Sequence, residues 1–280
     1  LILPLRPDMP ALVEGGVVEI EIKTPSRADK SGVARFVAEG RGEPRVLTPG
    51  PSIEERLHLL VKAGSPTTGE KALLAVEEAE ADALATIFSL PGGGDIAVEP
   101  TRALTAIDVD LGAREGVDSK RAARLANMAA INVAARVLRL KGLAGIMVFD
   151  LVGRGHDAQA LTTAARNAFA PDNPGVGIGA VSKFGTLEMI VPRRGAPILD
   201  RLLESDGQPN PRHVARRLAR ALEREGRADP GGRLTGRCAP AVAEAFQAEL
   251  DEALAERLGR RFMIESPPAW PIDRIEVSAR

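Results

Sequence analysis

Asp108 and Asp110 stand one residue apart in ALTAIDVDLG, residues 103–112, at the end of an otherwise apolar run, and Asp150 closes a second such run in GIMVFDLVG, residues 145–153. A carboxylate taken out of water without a partner costs several kcal/mol or takes up a proton. Aspartates in such surroundings therefore ask for a counter-charge. Side chains at i and i+2 of a strand share a face, so Asp108 and Asp110 point the same way. Asp150 follows Asp108 by 42 residues, with one helical segment between them. A strand–helix–strand crossover is right-handed and commonly lays its strands side by side and parallel. Their carboxyl ends then meet at the edge where open α/β sheets form sites. Three carboxylates there repel one another, and a hard divalent cation removes the conflict. Mg²⁺ accepts one or two carboxylates, keeps several waters and bridges to phosphate oxygens; beside a phosphodiester it offsets charge and acidifies a bound water. Spacing alone favours a second reading, since aspartates at strand ends often cap the next helix or close a turn.

The elements that must position these residues are legible in outline. Residues 11–45 read as strand, turn, strand, with Val18, Ile20 and Ile22 alternating. A Pro/Gly break at 49–52 precedes a helix capped by Ser52, with Glu55 at the capping-box position. Residues 68–90 read as a second helix whose acidic EEAEAD patch is a solvated face. Residues 95–99 and 103–111 read as a hairpin, 118–141 as a helix ended by Gly142, and 145–153 as a strand covered on both faces. A helix stopped by Pro171 and strand material interrupted near Phe184 and Gly185 follow. The order β-β-α-β-α-β over 91–192 predicts an α/β layered domain with a mostly buried sheet. Residues 193–212 have the composition of a connector. Beyond it a helix (212–226), a strand in RLTGRCA, a helix (239–258) and two closing strands make a small α+β domain.

Net charge is −1, so nucleic-acid binding must come from local basic clusters. Hydrophobic and charged fractions of 44% and 27% are those of a soluble globular protein. Lysine occurs only seven times, which leaves arginine, suited to bidentate phosphate contacts, as the main cation. With no Tyr, one Trp and seven Phe there is little material for base stacking. One cysteine, Cys238, excludes a disulfide framework within the chain and reads as a small buried apolar residue. The chain begins with Leu1, as expected of a fragment or trimmed product, and LILPL lacks the basic flank of a signal peptide. No run approaches 18 apolar residues, so a cytoplasmic protein without membrane insertion is expected.

LPGGGDIAVEPTRALTAIDVD, NMAAINVAARVLRLKGLAGIMVFDLV and SKFGTLEMIVPRR together resemble the catalytic core of the ribonuclease E/G family, bacterial Mg²⁺-dependent endoribonucleases with a ribonuclease H-like nuclease domain. The resemblance is close over about 90–194. It extends more weakly to 213–280, like the family's small C-terminal domain, and residues 12–36 resemble the tail of its OB-type RNA-binding domain. The organisation it implies is a partial OB-type β-barrel (1–45), a helical connector (46–90), a ribonuclease H-like catalytic domain (91–194), a linker (195–212) and a small C-terminal domain (213–280).

The same resemblance implies site residues. The family's two metal-binding aspartates fall on Asp108 and Asp150, and its asparagine two residues after the first falls on Asp110, an added carboxylate. An acidic residue three positions after the second aspartate is replaced by Gly153. An asparagine early in the intervening helix matches Asn127, and the family's Arg-Phe-Gly becomes Lys183, Phe184 and Gly185. Arg27 and Lys30 lie in the hairpin turn where the family touches RNA. The implied catalytic and metal-binding set is therefore Asp108, Asp150 and Asp110, with Mg²⁺ as cofactor and Mn²⁺ as its substitute, and the RNA-binding set is Arg27, Lys30, Asn127 and Lys183. The family's Cys-Pro-x-Cys zinc motif has no counterpart in 195–212, so neither zinc nor a zinc-linked tetramer is expected, while a homodimer stays open. The interval 37–90 carries no Arg-Thr pair of the family's 5′-monophosphate sensor.

The expectation is an endoribonuclease acting in RNA processing on single-stranded RNA without sensing the 5′ end. Its alternative is an RNA-binding protein with weak or lost nuclease activity, and a third option is a metal-dependent hydrolase of small phosphorylated substrates. Arg212, Arg216, Arg220 and Arg224 recur at i+4 and read first as a salt-bridged face, second as a track for an RNA backbone. His156 reads as a surface residue at a helix N-terminus.

Overall fold

A computed structural model describes residues 1–280 except 8, 25, 27–30, 51, 61–64 and 113–117, together with the side chains of 56, 59 and 60. Alternation at Val18, Ile20 and Ile22 builds an antiparallel hairpin of β1 (Val18–Thr24) and β2 (Val33–Glu39). It forms a two-stranded sheet, and no closed barrel occurs among the described residues. The expected capping box opens α1 (Ile53–Leu60): the Glu55 N–H donates to Ser52 Oγ at 3.1 Å, and the Ser52 N–H donates to Glu55 Oε2 at 2.7 Å.

The pattern over 68–90 divides. Its first part is α2 (Glu70–Leu84), and its end is a short strand, β3 (Ile87–Ser89), in which buried Phe88 sits between two exposed residues. β4 (Asp95–Pro100) and β5 (Thr105–Asp110) follow as an antiparallel pair whose turn is held by Thr101 Oγ1 donating to the Leu104 carbonyl. The helix α3 (Ser119–Lys141) begins with Asp118 accepting from the Arg121 N–H, and ends where Gly142 takes a left-handed conformation. Then come β6 (Gly145–Asp150), α4 (Ala158–Ala168) capped by Asp157, and an antiparallel pair, β7 (Gly177–Val181) and β8 (Thr186–Val191). The sheet order is β3-β4-β5-β6-β8-β7, with β5 and β6 parallel and every other pair antiparallel.

One face of this sheet is buried. Ile96, Val98, Ile107, Val109, Met147, Phe149, Leu187 and Met189 form a single core with the alanine-rich inner side of α3 and with α4. The small alanine side chains let a 23-residue helix lie close to the strands. The other face is open: Ile87, Ile146 and Ile190 on it are exposed. The expected mostly buried sheet, with 145–153 covered on both faces, is thus corrected. An unbroken apolar run gave no sign that its alternate residues face solvent.

The chain divides into two compact units, Leu1–Pro66 with Asp82–Ala196, and Thr67–Ala81 with Pro197–Arg280. In the second, a short α5 (Leu199–Leu202) precedes α6 (Pro211–Ala228), β9 (Leu234–Arg237), α7 (Pro240–Glu249), α8 (Asp251–Leu258), β10 (Phe262–Glu265) and β11 (Glu276–Ala279). The central strand β9 is parallel to β10 and antiparallel to β11. The helix expected over 239–258 breaks at Leu250, whose φ of −127° turns the chain so that Phe246 and Leu254 both reach the core. The arginine stripe of α6 is ion-paired. Arg224 meets Glu77 at 2.9 Å, Arg220 pairs with Glu80, and Arg212 and Arg216 meet Glu249 at 2.9 and 3.4 Å. EEAEAD is accordingly not a purely solvated face, since two of its glutamates, in the second half of α2, pair with α6.

Candidate active site

The crossover through α3 does what its chirality requires: β5 and β6 lie parallel, and Asp108 and Asp150 are direct partners in the register. Neighbouring strands sit about 4.8 Å apart, so one small cation can lie between the two carboxylates. Their neighbours Ile107, Val109 and Phe149 point into the core, which turns Asp108, Asp110 and Asp150 to the open face. Neither Asp108 nor Asp150 has a hydrogen-bond or ion-pair partner among the described residues.

Asp110 behaves differently. Its Oδ1 accepts from the Gly112 N–H at 2.6 Å and so closes the turn that leaves β5. Gly94 lies against this turn with a φ of +76°, and a Cβ there would come within 2.2 Å of the Asp110 carbonyl oxygen. The last glycine of PGGG is thus the space through which the turn passes. Across β4, Asp110 pairs in register with Asp95, a fourth acidic residue at this edge that sequence reasoning did not single out. Its signal was the hairpin turn at 101–104, which fixes that register. Among the described residues no three His, Cys, Asp or Glu groups gather to hold a metal ion. The expected convergence of three carboxylates is corrected to a side-by-side pair with a turn-closing neighbour.

The hairpin of β7 and β8 brings its tip beside Asp150, which pairs in register with Thr186. Ser182 Oγ lies 2.8 Å from Thr186 Oγ1 and accepts from the Phe184 N–H at 3.2 Å, while the Leu151 N–H donates to the Gly185 carbonyl at 3.0 Å. The tip is therefore held by both its own side chains and β6. Phe184, 80% exposed, carries Lys183 Nζ at 5.0 Å from its ring centroid. A solvent-facing aromatic with a cation over it is a surface on which a base can stack. The resemblance matched all three residues of this tip to the family's Arg-Phe-Gly but put only Lys183 in the RNA-binding set.

Asn127 is 1% exposed. Its Nδ2 donates to the Val152 carbonyl at 3.0 Å, and its Oδ1 accepts from the Val152 N–H at 3.1 Å. Both ends of the amide are used, so Asn127 ties α3 to the segment after Asp150. At Gly153 the φ is +93°, and a Cβ would meet that of Ala123 at 2.8 Å. No acidic side chain fits there without a shift of α3 or of the segment after β6. Arg27 and Lys30 lie outside the described residues.

A family model described as the ribonuclease E/G family matches residues 52–194. That is 143 of the 280 residues and contains the whole aspartate edge. This chain belongs to the ribonuclease E/G family. It is 37% identical over 103 residues to ribonuclease E of Escherichia coli, a match covering 36% of this chain and 10% of that protein. With ribonuclease E of Haemophilus influenzae it shares 36% identity over 103 residues, 36% of this chain and 11% of the relative. With ribonuclease G of Salmonella typhimurium the identity is 25% over 208 residues, 70% of this chain and 42% of the relative. The matches thus span between 10% and 42% of the length of these ribonucleases. The ribonuclease E/G match begins ahead of the stretch that carried the resemblance, and takes in α1 and α2 as well as the sheet.

Proposed function

We propose that this ribonuclease E/G family chain is a divalent-metal-dependent endoribonuclease acting on single-stranded RNA, with the six-stranded unit as a ribonuclease H-like nuclease core and the β1–β2 hairpin as part of an OB-type RNA-binding domain. The observation that carries the proposal is the parallel register of Asp108 and Asp150 on the open face, within a segment matched by the family model. Two carboxylates with no third protein ligand among the described residues suit Mg²⁺, which is held by one or two carboxylates and completes its shell with water and phosphate. Bound there, the ion would acidify a water and offset charge on the scissile phosphate.

The chain's own residues have three tasks. Asp108 and Asp150 hold the ion at the ends of two hydrogen-bonded strands, and Asn127 fixes the backbone two residues beyond Asp150. Lys183 and Phe184, on the hairpin tip, take a phosphate and a base of the strand. Asp110 shapes the turn and adds negative charge beside the pair. No 5′-monophosphate sensor is assigned, so cleavage is independent of the 5′ end. A second reading, RNA binding with weak or lost cleavage, is favoured by one observation: Gly153, where a Cβ would meet that of Ala123 at 2.8 Å, leaves no room for the acidic residue that the family's pattern has there.

The experiment is cleavage of an end-labelled single-stranded RNA with Mg²⁺, and again with EDTA. Defined internal fragments that EDTA abolishes are expected. Asp108→Asn and Asp150→Asn should each lower the rate at least ~100-fold with RNA affinity retained. A gel shift without fragments selects the second reading, and affinity that collapses along with activity means the aspartates hold the fold. Rates on 5′-monophosphate and 5′-hydroxyl forms of one RNA should agree within about threefold, a difference of under ~1 kcal/mol in barrier. A large preference for the monophosphate overturns that part.

A further inference from the structure

Between the N-terminal turns of α3 and α4 lies a cavity of about 420 Å³. Exposed Lys120, Arg121, Arg124 and Arg154 line it together with His156, Asp118 and Asp157, and its apolar part includes Met128 and Leu161. Most arginines of the second unit and several of the first are held by acids. Here, among the described residues, only Arg124 is, by Asp157 at 3.3 Å. The side chains of Lys120, Arg121 and Arg154 have no anionic partner among the described residues. The helix ends are not what attracts an anion, because Asp118 and Asp157 already accept from the Arg121 and Ala160 N–H groups at 3.1 Å. The attraction lies in unpaired side-chain charge around a concave, partly apolar space, in the volume range of small-ligand sites.

The cavity adjoins the aspartate edge. Val152 lines it and is two residues from Asp150, at most about 7 Å along an extended chain. His156 Nε2 lies 3.1 Å from the position a Cβ on Gly185 would take, which puts the imidazole against the base of the Phe184 tip.

We infer that this cavity is a subsite for one nucleotide of the bound strand. Its phosphate lies on Lys120, Arg121, Arg154 and an N–H of His156, and its sugar or base lies on the apolar part at Met128 and Leu161. The identification of the ligand as a nucleotide of RNA rests on the nuclease reading; the cavity's preference for a phosphate-bearing group does not.

Two measurements test it on the full chain. In the first, ¹⁵N-labelled protein is titrated with adenosine 5′-monophosphate, with adenosine and with inorganic phosphate. The monophosphate should shift the amides of Met128 and Leu161, adenosine at equal concentration should not, and phosphate should shift those of the cationic residues alone. In the second, anisotropy of a labelled single-stranded RNA is followed against salt for the wild type and for Arg121→Ala/Arg154→Ala. Both side chains are exposed and make no ion pair with described residues, so the thermal midpoint should hold. The double variant should bind about tenfold more weakly and lose about one to two from its log–log salt slope. Unchanged affinity and slope overturn the inference, including the case in which the mononucleotide still binds, since the pocket would then lie off the path of the strand. A wild type that shows both effects but never cleaves RNA sinks the nuclease reading and leaves the subsite standing.

Discussion

At the scale of single residues, Asp110 shows how one side chain can belong to a site without being one of its ligands. Its Oδ1 is committed to the Gly112 N–H, and the family's pattern places an asparagine at this position. An amide oxygen accepts that bond as well as a carboxylate does, and it removes a negative charge from beside an incoming phosphate. Asp110→Asn should therefore keep the catalytic rate within about threefold while lowering KM. Asp110→Ala loses the turn bond, costs about 1 kcal/mol of stability and should slow cleavage about tenfold by loosening the end of β5. Initial rates and urea midpoints of the two variants distinguish charge from turn geometry. If Asn and Ala behave alike, the turn bond is irrelevant, and if both abolish cleavage outright, Asp110 holds the metal after all.

At the scale of elements, α3 aligns the site from behind. One amide of Asn127, near its start, satisfies both backbone groups of Val152, and Lys141, its last residue, donates to the carbonyls of Ala83 and Ala85 from a buried position. Burial lowers the pKa of that ammonium, and Asp82 opposes the shift. Asn127→Ala strands the Val152 N–H and carbonyl together. It should cost about 2–6 kcal/mol, since each of the two orphaned groups costs 1–3, and it should lower kcat more than RNA affinity, because the segment it releases begins at Asp150. Urea unfolding and single-turnover rates measure the two effects. A loss of stability with kcat intact would make the bond purely structural.

How much of this was visible beforehand follows from where each signal resides. The crossover, the helix over 118–141 with its Gly142 stop, and the pairing of Asp108 with Asp150 are consequences of local pattern and chirality, which a sequence carries directly. The division of 68–90 into α2 and β3 was not, because three residues such as Ile87, Phe88 and Ser89 fit either periodicity until β4 is there to pair with them. Asn127 was found by resemblance, but its bonds to Val152 were not foreseen. Its bond to Val152 spans 25 residues and depends on how closely α3 approaches the end of β6. Phe184 was placed at the interruption of the strand material and matched to the family's Arg-Phe-Gly, but not counted as an RNA contact, because its exposure is a property of the fold.

At the scale of the whole molecule, two cores give two units with separate sensitivities, and the second contains a proton-linked one. His213 on α6 is 5% exposed; desolvation, then Arg217, Arg220 and Arg216, bring its pKa down to about 4. Glu80 stands 3.8 Å from Nδ1, but its carboxylate is shared with Arg220, and burial prevails. The ring is thus neutral when folded and takes up a proton near pH 6.5 when unfolded. Between those values the unfolded chain binds more protons, so stability is complete above about pH 6.5 and declines as pH falls toward 4, by about 3 kcal/mol in all. Trp270, the chain's single tryptophan, packs against the same core and reports on this unit alone. Its fluorescence midpoint in urea should fall between pH 7 and pH 4.5 in the wild type. In His213→Leu the decline should shrink to what the surface carboxylates contribute. An identical decline in both proteins would mean that His213 is already protonated in the fold, with Glu80 rather than the arginines setting its charge.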